Sequence, residues 1–160
     1  MYILINKPVD VHMDSIHELL TEKNNVGKSL NETPPPLAAQ NTLDTESEGL
    51  VVLSDKTGEK SMSKAEQEYE ITIDNYLSKD AEKILKKGMV IDENFIGGIR
   101  IQEEKHKGNR SVVVATMTEH TAQNIRNFFE LIGYRVSAVR CIRIGEFKLG
   151  VLSIGKWKKI

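Results

Sequence analysis

The segment "EYEITIDN" sets Tyr69, Ile71 and Ile73 on one side of an extended chain and Glu70, Thr72 and Asp74 on the other. Side chains alternate across a strand, so one face of this strand must be covered while the other meets water. A chain holding it has to build a sheet packed on at least one side. "RSVVVATMTE" is nearly all apolar and reads as an interior strand of that sheet. "TAQNIRNFFELIG" repeats Ile125, Phe128, Phe129 and Ile132 at i, i+3, i+4 and i+7, with Gly133 at the stop position. That spacing predicts a helix whose apolar stripe suits the cover.

The other segments follow the same logic. "YILIN" is a strand ended by Lys7-Pro8, and "DSIHELLTEK" is a short helix capped by Asp14 or Ser15. "KTGEKSMSKAE" reads as a turn and a weak helix. "SKDAEKILKKG" reads as a helix between a Ser78 cap and a Gly88 stop. "NFIGGIRIQEE" is a strand joined to "RSVVVATMTE" by the turn "KHKGN", and "YRVSAVRCIRIGEFKLG" and "LSIGKWKK" supply the last strands. Strands and helices interleave without a regular β-α-β period. The expected class is therefore α+β, one domain spanning 1–160, with a largely antiparallel sheet and flanking helices. The stretch from Asn24 to Gln40 is the longest loop, either a functional surface or a linker.

Composition enters by exclusion. With 160 residues, 39% of them hydrophobic, the chain can bury a core without staples, and the single Cys141 rules out an internal disulfide framework. Cys141 sits among apolar neighbours and reads as a buried, inert thiol. No apolar run is long enough to span a bilayer, and "MYILINKP" lacks the order of a signal peptide, so an intracellular, cytoplasmic location is expected. "VGKS" resembles the end of a phosphate-binding loop, but Glu22 stands where the loop requires glycine. His12, His17, His106 and His120 show no ligand spacing, so neither metal nor cofactor is expected. The net charge of -1 excludes binding of nucleic acid by overall basicity. The basic residues Arg126, Arg135, Arg140, Arg143, Lys148, Lys156, Lys158 and Lys159 near the end outnumber Glu130 and Glu146, which suggests a basic surface there.

"NTLDTESEGLVVLSD" puts Asp44 in a polar turn that runs straight into an apolar strand. Such an aspartate either caps the turn or is a carboxylate held still for chemistry. Taken with two later segments, the stretch resembles the active-site motif of RNA pseudouridine synthases, where a Gly-Arg-Leu-Asp turn precedes Thr or Ser, then Gly-Leu and an apolar strand. Leu43, Asp44, Ser47, Gly49 and Leu50 match it. "QEYEI" is similar to the family's Lys-x-Tyr-x-Val strand and supplies Tyr69. The segment from "TEHTAQNIRNFF" through "GYRV", "RCIRIG", "KLG" and "GKW" resembles the C-terminal part of the RsuA-type branch, with Arg126 at the basic helix position. "YILINKP" and "KKGMVIDE" are similar to the family's first strand and mid-chain turn.

The resemblance implies the pseudouridine synthase catalytic fold and isomerisation of uridine in RNA, with ribosomal RNA as the expected target and no cofactor. It implies Asp44 as the catalytic carboxylate, acting by attack on the sugar or by proton removal. Arg126 would be the cation that holds it charged, and Tyr69 the ring against a turned-out base. Asn41 and Thr42 replace the Gly-Arg pair, Gln67 replaces the lysine before the tyrosine, and Asp10 stands where glycine often follows Lys-Pro. No small N-terminal RNA-binding module of the S4 type is legible, so the chain reads as a catalytic domain alone, helped onto RNA by a ribosomal or other protein partner. The alternative reading is a catalytically impaired relative acting as an RNA-binding or ribosome-assembly factor.

Overall fold

The computed structural model describes residues 1–31, 33–55, 62–118 and 121–160. In chain order its elements are β1 (Tyr2–Lys7), β2 (Ala38–Ala39), β3 (Glu48–Ser54), β4 (Gln67–Ile73), α1 (Lys79–Lys87), β5 (Met89–Ile91), β6 (Asn94–Ile96), β7 (Arg100–Lys107), β8 (Arg110–Met117), α2 (Ala122–Leu131), β9 (Val136–Ile144), β10 (Phe147–Lys148) and β11 (Trp157–Lys159). The main sheet runs β11-β1-β3-β9-β4-β8-β7, with β2 on β3 and β10 on β9, while β5 and β6 form a separate hairpin. The class is α+β, and the pairing is antiparallel throughout the main sheet except for β3 beside β9. No helix is long and apolar enough to cross a membrane among the described residues.

The sequence patterns account for the layers. Along β4, Gln67, Tyr69, Ile71 and Ile73 are buried while Glu68, Glu70 and Thr72 are partly open, as the alternation requires. β8 lies between β4 and β7 and so is an interior strand. Helix α2 starts at a Thr121 cap, whose hydroxyl accepts from the Asn124 amide, and it buries Ile125, Phe128 and Phe129. Each such side chain contributes about 1.5–3 kcal/mol through its removal from water. Ser78 caps α1 by accepting from the Ala81 amide, and Gly88 ends it at φ +89°.

Three expectations need correction, and a fourth lies mostly outside the described residues. The segment after Pro8 is a 3-10 helix over Met13–Leu19, capped by His12, whose ring nitrogen accepts from the Asp14 amide. It buries only Ile16, too small an apolar stripe to stabilise a regular α-helix. Of "KTGEKSMSKAE", Lys56–Ser61 lie outside the described residues, as does His120, and Met62–Lys64 form one 3-10 turn. "NFIGGIRIQEE" is not one strand: Gly97 and Gly98 break it, the latter at φ +66°, and its first part pairs back on β5. β7 continues through Lys107, so the turn shrinks to Gly108-Asn109.

One glycine holds the sheet together. Gly49 pairs with Cys141 across the parallel seam at φ +112°, and a Cβ there would lie 2.3 Å from the Cys141 carbonyl oxygen. Gly49→Ala is expected to destabilise the chain by at least about 3 kcal/mol, because neither the backbone angle nor the neighbouring backbone can yield. A thermal melt should show the midpoint falling by about 6–12 °C.

Candidate active site

Asp44 lies in the turn between Gln40 and β3, and several bonds make that turn rigid. The Ser47 amide donates to the Asp44 carbonyl at 3.1 Å, and the Asp10 amide donates to the Thr45 carbonyl at 2.8 Å. Asn41 donates through Nδ2 to the Leu50 carbonyl and accepts at Oδ1 from the Val52 amide, each at 2.9 Å. The residue replacing the expected glycine thus splints the turn to β3. Asp10 adopts φ +64°, which shows why glycine suits that position and why aspartate, among the more tolerant residues there, can stand in.

The turn presents Asp44 to a cluster of charges. Oδ1 accepts a short hydrogen bond from the Ser47 hydroxyl. Oδ2 lies 4.0 Å from Nη2 of Arg126 and has no hydrogen-bond partner among the described residues. Arg126 is 8% exposed; its Nη2 donates to the Ser47 hydroxyl at 2.9 Å and its Nη1 to Glu46 at 2.6 Å. Glu46, with a side chain 70% exposed, is therefore the closer carboxylate to Arg126. The arginine spans both acids, and Ser47 stands between them.

Lys7 is the second cation. It is fully buried, and its ammonium donates to the Pro8 and Ser47 carbonyls, each at 2.8 Å. Burial draws its pKa below the ordinary lysine value, with the charge of Asp44 foremost among those pulling it back up, ahead of Asp10 and Glu48. Lys7 and Ser47 carry as much of this geometry as Asp44 and Arg126. The legible signals were a lysine directly after an apolar strand and a hydroxyl three residues past the aspartate.

Tyr69 comes to the same region but not to its surface. It is 1% exposed, and its hydroxyl donates to Oε1 of Gln67 at 2.6 Å. Burial, the largest cause, and the nearby Cys141 and Asp44 push its pKa well above 10.0. The ring is buried, and any stacking on a base requires the cover over it to open. The structure therefore brings Asp44 and Arg126 together and keeps Tyr69 buried nearby. A separate cavity of about 480 Å³ lies on the opposite face of the sheet, where Arg140 pairs with Glu70 and Arg143 with Glu66 and Glu68.

Cys141 is buried against Tyr69, and desolvation pushes its thiol up to about 12 from 9.0. The unfolded chain therefore loses that proton first, and stability falls as pH rises between those two values. From about pH 8 to about pH 10.5 this thiol should remove roughly 2 kcal/mol of stability. Tyr69 acts with the same sign and Lys7 with the opposite one. Urea midpoints at the two pH values should drop less for Cys141→Ala than for the native chain.

No family model matches the chain. An uncharacterized RNA pseudouridine synthase of Aquifex aeolicus (strain VF5) is 22% identical over 165 residues, covering 99% of this chain and 66% of that protein. The chain thus spans just under two thirds of the length of that curated relative. Among solved structures, a pseudouridylate synthase superposes with a TM-score of 0.73 at 18% identity, covering 99% of this chain and 69% of that one. An archaeal box H/ACA sRNP complex superposes at 0.58 and 17% identity, and an H/ACA RNP bound to a substrate RNA containing 2'-deoxyuridine at 0.61 and 14%. Each of these covers 92% of this chain and 48% of its own.

Proposed function

We propose that this chain, a member of the pseudouridine synthase family by similarity along its length and by its fold, isomerises uridine within RNA, with Asp44 as the carboxylate that acts on the ribose. The observation that carries the reading is the pose of that carboxylate. One oxygen is tied to Ser47, and the other, beside Arg126, has no hydrogen-bond partner among the described residues. An oriented anion with an unpaired oxygen is what the reaction needs; that oxygen is buried, so the cover over it must part before a bound ribose completes it.

In the reaction the bond from N1 of uracil to C1′ breaks, the base turns, and C5 bonds to C1′. The C5 proton leaves to solvent and N1 gains one, so the atoms balance without an oxidant or reductant. Asp44 either attacks C1′ or removes a sugar proton to start the cleavage. Arg126 and Lys7 supply the opposite charge around it in both cases, and Ser47 fixes its direction. Tyr69 closes the floor under the reacting base. The order of the motifs supports the RsuA-type branch, with ribosomal RNA in the cytoplasm as the substrate.

Where the family motif has Gly-Arg, Asn41 supports an active turn because its side chain bonds β3 at two backbone positions. The test is release of tritium from 5-tritiated uridine in bulk RNA. Release that depends on Asp44 is expected; equal release by the native chain and Asp44→Ala would sink the proposal, and release at background level by both would leave a non-catalytic RNA-binding protein.

A further inference from the structure

The charges that the proposed site leaves unused gather on one edge of the sheet. β11 is the edge strand, and residues 23–28 run along its outer side. Asn25 bridges to Trp157, the Val26 amide donates to the Trp157 carbonyl at 3.0 Å, and a Cβ on Gly27 would lie 3.1 Å from Cβ of Lys158. Lys156 reaches the Lys23 carbonyl at 3.4 Å. Trp157 anchors the arrangement, buried and donating its ring N–H to the Thr21 carbonyl at 2.8 Å.

Lys23, Lys28, Lys156, Lys158 and Lys159 therefore share one contiguous edge. Among the described residues no carboxylate pairs with any of them. Glu22 is the acid beside them in the chain. Around β4 and β9 the pattern reverses, because Arg140 and Arg143 are held by Glu66, Glu68 and Glu70. That region presents cancelled charge, whereas no ion pair holds the β11 lysines among the described residues.

The edge also leads to the site. The Asn6 amide donates to the Lys156 carbonyl at 3.0 Å and the Gly155 amide to the Asn6 carbonyl at 2.8 Å, and the next residue, Lys7, holds the turn of Asp44 through the Ser47 carbonyl. Lys156 and Lys158 lie two positions apart on an extended chain, about 6.6 Å, a separation that suits successive phosphates of an extended strand.

We propose that the lysine edge formed by β11 and residues 23–28 is the track on which the phosphodiester backbone of RNA lies as it enters the Asp44 site. The proposal rests on the reading of RNA as substrate and adds where the strand runs. With a net charge of -1 the chain needs such a local surface, because overall charge gives no attraction.

The experiment is fluorescence anisotropy of a labelled single-stranded oligouridine at stepped salt concentrations. The patch variant is Lys156→Gln, Lys158→Gln, Lys159→Gln, which keeps the aliphatic stems. The control removes the same charge from α1, which packs at the β7 end of the sheet, through Lys83→Gln, Lys86→Gln and Lys87→Gln. Loss of three phosphate contacts should lower affinity at least about tenfold at moderate salt and reduce the slope of log K against log salt by about 2. The control should retain the native slope. Equal slopes for the two variants, or no binding by the native chain, would overturn the track. Tritium release separates the two readings. Asp44-dependent release with equal slopes leaves catalysis standing without the track, and a patch-specific loss of slope without release leaves the track without catalysis.

Discussion

Asp44→Asn should abolish tritium release, by at least about 10⁴-fold, while the chain stays folded. Asparagine has nearly the shape of aspartate and keeps an oxygen for the Ser47 hydroxyl, so the turn should survive. It has no negative charge to place at the sugar and is neither a competent nucleophile nor a base. Circular dichroism and the thermal midpoint provide the control, and the expected pattern is a native melt with no turnover. Binding of oligouridine should be retained, since a lost carboxylate takes nothing from the attraction for phosphate. A variant that turns over at the native rate would show that the chemistry lies elsewhere.

Arg126→Leu is expected to reduce turnover by about 10²–10³-fold, the range seen when one charged partner is removed from an enclosed reacting centre. The guanidinium meets Glu46 through one nitrogen and Ser47 through the other, with Asp44 4.0 Å away. Leucine fills much of the space and leaves Ser47, Glu46 and Asp44 without their shared partner. Arg126→Lys should recover little, because a single ammonium cannot span two partners as the planar fork does. The loss should fall on kcat more than on KM, since Arg126 faces the carboxylate and not the lysine edge. Stability should fall by about 1–3 kcal/mol through the lost charge-assisted bonds. Rates are therefore to be compared well below the midpoint.

What was legible in the sequence divides along the range of the interactions. The strand through Tyr69, the helix through Phe128 and the two serine- and glycine-bounded ends of α1 could be read because their causes lie within a few residues. The 3-10 helix after Pro8 escaped because its apolar spacing looks helical until one knows that only Ile16 is fully buried, with Met13 and Leu19 half-covered at the margin of the core. The hairpin of β5 and β6 escaped because two glycines were read as part of a strand. In the candidate site, Asp44 and Arg126 stood out through family resemblance, since nothing local links positions 82 residues apart. Lys7 was read as the end of a strand. Its burial makes sense only once the Ser47 carbonyl, 40 residues on, arrives to accept its hydrogen bond. For Tyr69 the alternation indicated the face but not the depth, and the acceptor role of Gln67 follows from geometry that a pattern does not contain.

The parallel seam of β3 and β9 bears on how the site comes into being as the chain folds. Asp44 is carried by the turn before β3, while Arg126 rides on α2, which a short connection joins to β9. The two halves meet through Glu48 beside Arg140 and Gly49 beside Cys141. Contacts of such sequence separation close slowly, because the loop entropy must be overcome before any contact rewards it. Until that seam closes, the carboxylate and its guanidinium belong to separate parts of an unfinished molecule. The pairing of Asp44 with Arg126 is thus a property of the completed sheet, and it arises in the same step that makes the sheet continuous.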